Sequence, residues 1–119
     1  PGGGSTLVHI ANDLYDWAED NLTDDELIGA MIVEKSLTYP MKRIIENTGK
    51  NSAIIIETIK ESEFHMGYNA ADGVITDMYE SGIIDPAKVT RSGLQNASSI
   101  ASMILTTECI VVDTTEAEE

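Results

Sequence analysis

Cysteine is nearly absent from this chain: there is one, Cys109. A single thiol cannot build an internal disulfide framework, and a reducing compartment is the simple reading. Cations are scarce too, with 7 lysines and arginines against 21 acidic residues and a formal charge of −14. That balance argues against nucleic acid, whose phosphates need cations to replace released counterions, and equally against an anionic membrane surface. No run reaches the roughly 20 apolar residues of a membrane-spanning helix, and no charged-then-apolar leader opens the sequence. His9, His65 and Cys109 stand apart, without the spacing of metal ligands. With no such leader, Asn21-Leu22-Thr23 and Asn96-Ala97-Ser98 read as chance matches to the glycosylation sequon. An initiator methionine is missing as well. The chain opens on Pro1-Gly2-Gly3-Gly4, which suits an artificial linker, a processed end or a cut through a larger protein.

What is present suffices for a core. The 119 residues, 42% of them hydrophobic, fit one small mostly helical unit and set global disorder aside. Leu7, Ile10, Ala11, Leu14 and Ala18 recur at helical spacing opposite Asp13, Asp16, Glu19 and Asp20, which predicts an amphipathic helix over residues 5–19. His9 falls on its surface. Thr23-Asp24-Asp25-Glu26 has capping-box spacing before a second helix carrying Leu27, Ile28, Met31, Ile32 and Leu37. Pro40 breaks that helix and starts a third, with Met41, Ile44 and Ile45 inward and Asn47-Thr48-Gly49 closing it.

Residues 52–62 read as a fourth helix, with Ile55 and Ile59 opposite Glu57, Lys60 and Glu61. His65 then falls in a loop. Gly67-Tyr68-Asn69 and Ala70-Ala71-Asp72-Gly73 predict a short hairpin, Asp-Gly supplying the turn chemistry. Asp85 caps the longest helix, Pro86 takes its first position, and Val89, Gly93, Ala97, Ile100, Ala101 and Ile104 form its inner stripe. Thr107 to Val112 is β-rich and reads as a terminal strand holding Cys109 as a small buried hydrophobe. Thr114 to Glu119 reads as an acidic, frayed tail.

Three features admit a chemical reading beside a plain one. Gly2-Gly3-Gly4 lets backbone approach a ligand, or is a flexible end. Asn69-Ala70-Ala71 offers amides to a base edge, or simply turns the hairpin. Asp85 accepts from ribose hydroxyls, or only caps its helix.

Their order and company favour the chemical readings. Gly67-Tyr68-Asn69-Ala70-Ala71, then Gly82 to Ser92 (Gly-Ile-Ile-Asp-Pro-Ala-Lys-Val-Thr-Arg-Ser), Leu94-Gln95-Asn96-Ala97 and Leu105-Thr106-Thr107-Glu108-Cys109 together resemble the C-terminal part of group I chaperonins, the GroEL family. Met41 to Gly49 fits the same pattern, and the opening glycines resemble the family's motif at the return into the equatorial domain. Trp17-Ala18 and Ile110 to Asp113 look most like cyanobacterial and plastid members.

The resemblance implies a helical equatorial-domain fragment with a short β-hairpin and a C-terminal strand, spanning residues 1–119. The family stacks two seven-membered rings, and ATP hydrolysis drives the folding of client proteins. By resemblance Gly3 lies beside the ribose, Asn69, Ala70 and Ala71 line the adenine, Ile83 packs on the base and Asp85 accepts from the ribose hydroxyls. These are binding roles.

The phosphate loop of Gly-Asp-Gly-Thr-Thr type and the water-activating aspartate have no counterpart here. The intact parent is therefore expected to be an ATPase using ATP or ADP with Mg, and the segment alone inactive, with no nucleotide expected to be tightly held. Partners implied are other subunits of a heptameric ring, and, through further domains, a co-chaperonin and unfolded clients. The implied setting is the bacterial cytoplasm or the plastid stroma. At the family's ring–ring contact a basic residue faces an acidic one. Here those positions hold Lys42 and Asn51, which weakens the pair. Gly93, Ser98, Ser99 and Ser102 stand where alanine is commoner in the family. A freestanding acidic helical module that docks a basic partner without nucleotide is the competing reading, resting on the −14 charge.

An unpaired terminal edge and bare helix faces should make the 119-residue chain self-associate. Sedimentation at high concentration tests this, and a strictly monomeric profile counts against it.

Overall fold

The computed structural model describes residues 1–106, and the expected strand over Thr107–Val112 and tail over Thr114–Glu119 lie outside them. Five helices and one hairpin follow in the order α1 (Ser5–Asn21), α2 (Asp24–Ser36), α3 (Tyr39–Asn47), α4 (Ser52–Lys60), β1 (Met66–Asn69), β2 (Val74–Asp77) and α5 (Ala87–Thr106). The class is mostly α with a two-stranded antiparallel hairpin, as the sequence predicts. Contacts divide the chain into a unit from Pro1 to Asp85 and a second beginning at Pro86.

In the first unit, Val8 of α1, Met41 and Ile45 of α3, Ile56 and Ile59 of α4 and Tyr68 of β1 form one buried cluster, with Ile44, Ile55 and Ile75 packed on its edge. Burying each such aliphatic side chain contributes about 1.5–3 kcal/mol. The buried stripe of α1 is Ser5, Val8, Ala11 and Ala18, with Leu7 and Leu14 half-buried. Ile10, expected inward, is exposed. The apolar arc of this helix is wider than the surface its neighbours cover, so the arc's middle and not its edge goes inside.

His9, expected on the helix surface, is half-buried: its Nε2 donates to the Met66 carbonyl at 2.7 Å, and its ring packs tilted against Phe64. Asn12 donates to the Lys60 carbonyl at 2.9 Å, so two polar side chains of α1 fix it against β1 and the end of α4. On the outer face the Tyr15 hydroxyl donates to Glu19. That hydrogen bond, reinforced by the Glu19 charge, raises the phenol above its ordinary pKa.

Helix α2 departs furthest from its sequence reading. It buries none of its residues; Ile28, Met31 and Ile32 are exposed, and only Leu37 just beyond its end is buried. Thr23 does occupy the cap position, yet its hydroxyl accepts no hydrogen bond. Asp24 follows it at φ 53°, a left-handed geometry that takes the first turn away from the one a capping box needs. A half-buried ion pair, Lys60 Nζ to Glu34 Oε1 at 3.2 Å, joins α2 to α4.

Helix α3 begins as expected, with Pro40 in the first turn, where a missing N–H costs nothing. It ends with Gly49 at φ 80° donating to the Glu46 carbonyl. Asn51 caps α4, its Oδ1 accepting from the Ala53 N–H at 3.0 Å. Ile56 joins Ile59 in the core while Ile55 is half-buried, so the inner face sits one residue round from the expected one.

The hairpin pairs Met66 with Asp77, Gly67 with Thr76, Tyr68 with Ile75 and Asn69 with Val74. Its loop runs from Ala70 to Gly73, so Asp72-Gly73 ends a four-residue loop and does not form a two-residue turn. His65 lies in the turn before β1, as expected.

The second unit is carried by α5. The Pro86 carbonyl accepts from Val89 and Thr90, so the helix starts one residue later than predicted and Asp85 is not its cap. None of its residues is buried, including the predicted inner stripe of Val89, Gly93, Ala97, Ile100, Ala101 and Ile104: one helix has nothing of its own to bury against.

Of the glycines in the first unit, Gly67 has the least room for a side chain. A Cβ there would lie 2.1 Å from Ser5 Oγ and 2.6 Å from Met78 Cγ. Gly67→Ala should therefore destabilise the first unit by about 1–3 kcal/mol, the usual range for overpacking. Removing the hydroxyl with Ser5→Ala should recover part of the loss in a double-mutant cycle read by denaturant unfolding.

Candidate functional site

The segment Pro1–Gly4 is laid against the first unit by its backbone. Gly2 N–H donates to the Ile83 carbonyl at 2.9 Å, and a Cβ on Gly2 would come within 3.2 Å of that same residue's backbone. Gly3 and Gly4 have φ of 65° and 79°, which side-chain-bearing residues rarely adopt. Gly3 lies beside the Tyr68 carbonyl and Met78, and Gly4 is so near the Met41 backbone that a Cβ would sit 2.9 Å from its nitrogen. The glycines lie along the fold, two of them pressed against neighbouring backbone. Ile83 completes the clasp, its N–H donating to the buried Met78.

One residue past Tyr68, buried Asn69 organises the hairpin loop. Its Oδ1 accepts from the Ala71 N–H at 3.0 Å and from Asp72 at 3.4 Å, while its Nδ2 donates to the Asp72 carboxylate at 3.2 Å. Its main-chain carbonyl takes the Gly73 N–H at 2.8 Å. The carboxamide is thus used within the loop, and its plain reading as a turn-former holds. Ala70 and Ala71 are exposed; the Ala70 N–H and both carbonyls make no hydrogen bond among the described residues.

The structure brings Gly3, β1 and Ile83 into one neighbourhood, with Asn69, Ala70 and Ala71 continuing from the end of that strand. It does not bond Asp85 to any of them. That carboxylate is exposed and accepts no hydrogen bond among the described residues.

Chemically, the arrangement offers open main-chain donors and acceptors, an apolar side chain at Ile83 and a free carboxylate. No group of three or more histidine, cysteine or acidic side chains placed to hold a metal occurs among the described residues. Also among them, no helix is long and apolar enough to cross a membrane.

Sequence reasoning missed the residues that support this region. Tyr68 and Thr48 hydroxyls lie 2.9 Å apart, and Lys50 Nζ donates to the Gly73 carbonyl. Strand alternation could have turned Tyr68 inward; nothing in the sequence pointed to Lys50. A separate groove of about 300 Å³ lies between α2, α3 and α4, lined by Glu34, Lys42, Ile56 and Lys60 among others. It contains none of the expected ligand-binding residues.

With this geometry in place, comparison with known proteins defines the class of fold and then the family. The structure superposes on a group III chaperonin in the open state with a TM-score of 0.84 at 25% identity, over 93% of this chain and 23% of that one. An open-state group II chaperonin monomer from Methanococcoides burtonii shares the fold with a TM-score of 0.83 at 24% identity, over 89% of this chain and 27% of that one.

The profile of the TCP-1/cpn60 chaperonin family matches residues 1–115. Over 116 residues, 98% of its length, the chain is 62% identical to the chloroplastic chaperonin GroEL of Trieres chinensis. It spans 22% of that relative. The chain belongs to the TCP-1/cpn60 chaperonin family, and its similarity is to the GroEL-like, plastid type that its motifs resemble.

Asn69→Ala removes three loop contacts from a buried position and should cost about 1–3 kcal/mol of hairpin stability. Amide exchange at Ala71 and Asp72 checks this directly: both should lose protection while Tyr68 keeps it.

Proposed function

We propose that this chain is the C-terminal segment of the equatorial, ATP-binding domain of a group I chaperonin, working in the plastid stroma. Its part is the adenosine side of the nucleotide pocket and contacts within the ring. The observation that carries the reading is the Gly2–Ile83 backbone bond, which sets the glycine motif beside the segment leading to Asp85.

Gly3 would face the ribose, a role its lack of a side chain favours. Asn69 would act through the loop it holds, presenting the open main-chain groups of Ala70 and Ala71 to the adenine edge. Ile83 would pack on the base, half-buried and held by two backbone bonds. Asp85 would accept from the ribose hydroxyls, which its unbonded carboxylate supports. In the intact protein ATP with Mg supplies the phosphoryl group for transfer; the residues here hold the nucleoside and take no part in that step. Lys42 and Asn51 would lie at the ring–ring contact, where Asn51 offers no charge and already caps α4. Further domains of the intact protein would engage the co-chaperonin and clients.

The 119-residue chain should show no magnesium-dependent ATP turnover, and measurable turnover would refute the assignment of roles. In the intact chaperonin, Asp85→Ala should weaken nucleotide binding at least about tenfold, the worth of hydrogen bonds to a charged group. An affinity within twofold of wild type removes Asp85 from the pocket.

A further inference from the structure

Two contacts cross from the α3–α4 loop to the hairpin. Tyr68 and Thr48 hydroxyls are 2.9 Å apart, and Lys50 Nζ reaches the Gly73 carbonyl at 2.5 Å. Gly73 closes the four-residue loop that carries Ala70 and Ala71, with φ 70° and its N–H on the Asn69 carbonyl. A Cβ on Gly73 would sit 2.6 Å from Lys50 Nζ, so the ammonium lies directly against the backbone of the residue that shuts the loop. Lys50 is one of 7 cations in a chain with 21 acids, yet among the described residues it forms no ion pair. Its charge is directed to a main-chain carbonyl.

We propose that Lys50 is a positioning residue for nucleotide: it fixes the loop 70–73 in the form that presents Ala70 and Ala71 to the base. This rests on the nucleoside reading of that loop. The loop has two holds. Asn69 secures Ala71, Asp72 and the Gly73 N–H from inside, and Lys50 secures the Gly73 carbonyl from outside. Without the second, the left-handed glycine becomes a hinge, and the binding-competent form is a smaller fraction of the free protein. Apparent affinity falls by that fraction, while the buried cluster, which Lys50 does not enter, is unchanged.

The test compares Lys50→Met, Lys50→Arg and Asp85→Ala in the intact chaperonin, measuring ADP affinity by titration calorimetry and unfolding without nucleotide. Lys50→Met should raise the ADP Kd about threefold to tenfold, the scale of one hydrogen bond, at an unaltered unfolding midpoint. Lys50→Arg, which keeps a charged donor, should restore affinity to within twofold. An unchanged Kd in Lys50→Met alongside weakened binding in Asp85→Ala overturns the proposal and leaves the nucleoside reading standing. A lowered midpoint that Lys50→Arg does not rescue assigns Lys50 a structural role and also overturns it. If Asp85→Ala binds normally too, the nucleoside reading fails and the proposal with it.

Discussion

The first unit depends on how closely α1 approaches the hairpin. At Ser5 and Gly67 there is no room for one added carbon, and Gly4 meets the Met41 backbone just as tightly. Close packing of this kind resists adjustment, because displaced atoms have no void to enter. It fixes the start of α1 relative to β1 and α3 together. The His9 bond to Met66 and the Asn12 bond to Lys60 then set the helix's rotation. Only with that rotation set do Gly3, the hairpin loop and Ile83 share a neighbourhood. The apolar cluster supplies cohesion; the glycine contacts supply placement.

Charge plays a smaller part than its amount suggests. The net charge is −14, and among the described residues the most enclosed ion pair is Lys60 with Glu34. Exposed pairs such as Lys42 with Glu46, 4.0 Å apart, contribute about 0–1 kcal/mol. The acids keep the surface wet and repel one another. They say little about a partner, so the competing picture of an acidic docking module draws no particular support from the fold.

Helical period located α1, α3 and α4 and brought Met41, Ile45 and Ile59 inside, since each of these helices meets neighbours within the first unit. The same period could not decide Ile10, Ile28 or Ile32. Amphipathicity fixes a helix's apolar side, but how much of that side is covered depends on which elements arrive, and α2, though it packs on α1, buries none of its residues. Local chemistry was similarly partial. Asn51 and Gly49 perform as their types suggest, whereas Thr23 fails because a left-handed Asp24 redirects the turn. For the proposed site, motif resemblance supplied the residues assigned to face the ligand. The supports, Tyr68, Thr48 and Lys50, depend on contacts between segments about 20 residues apart and leave no periodic trace.

The Gly2–Ile83 bond has a mechanical side. It joins the first residues of the first unit to its last, so the two ends of that unit meet at one amide and one carbonyl. Tension applied between Gly2 and Asp85 would load this single bond first, before any helix pair began to slide.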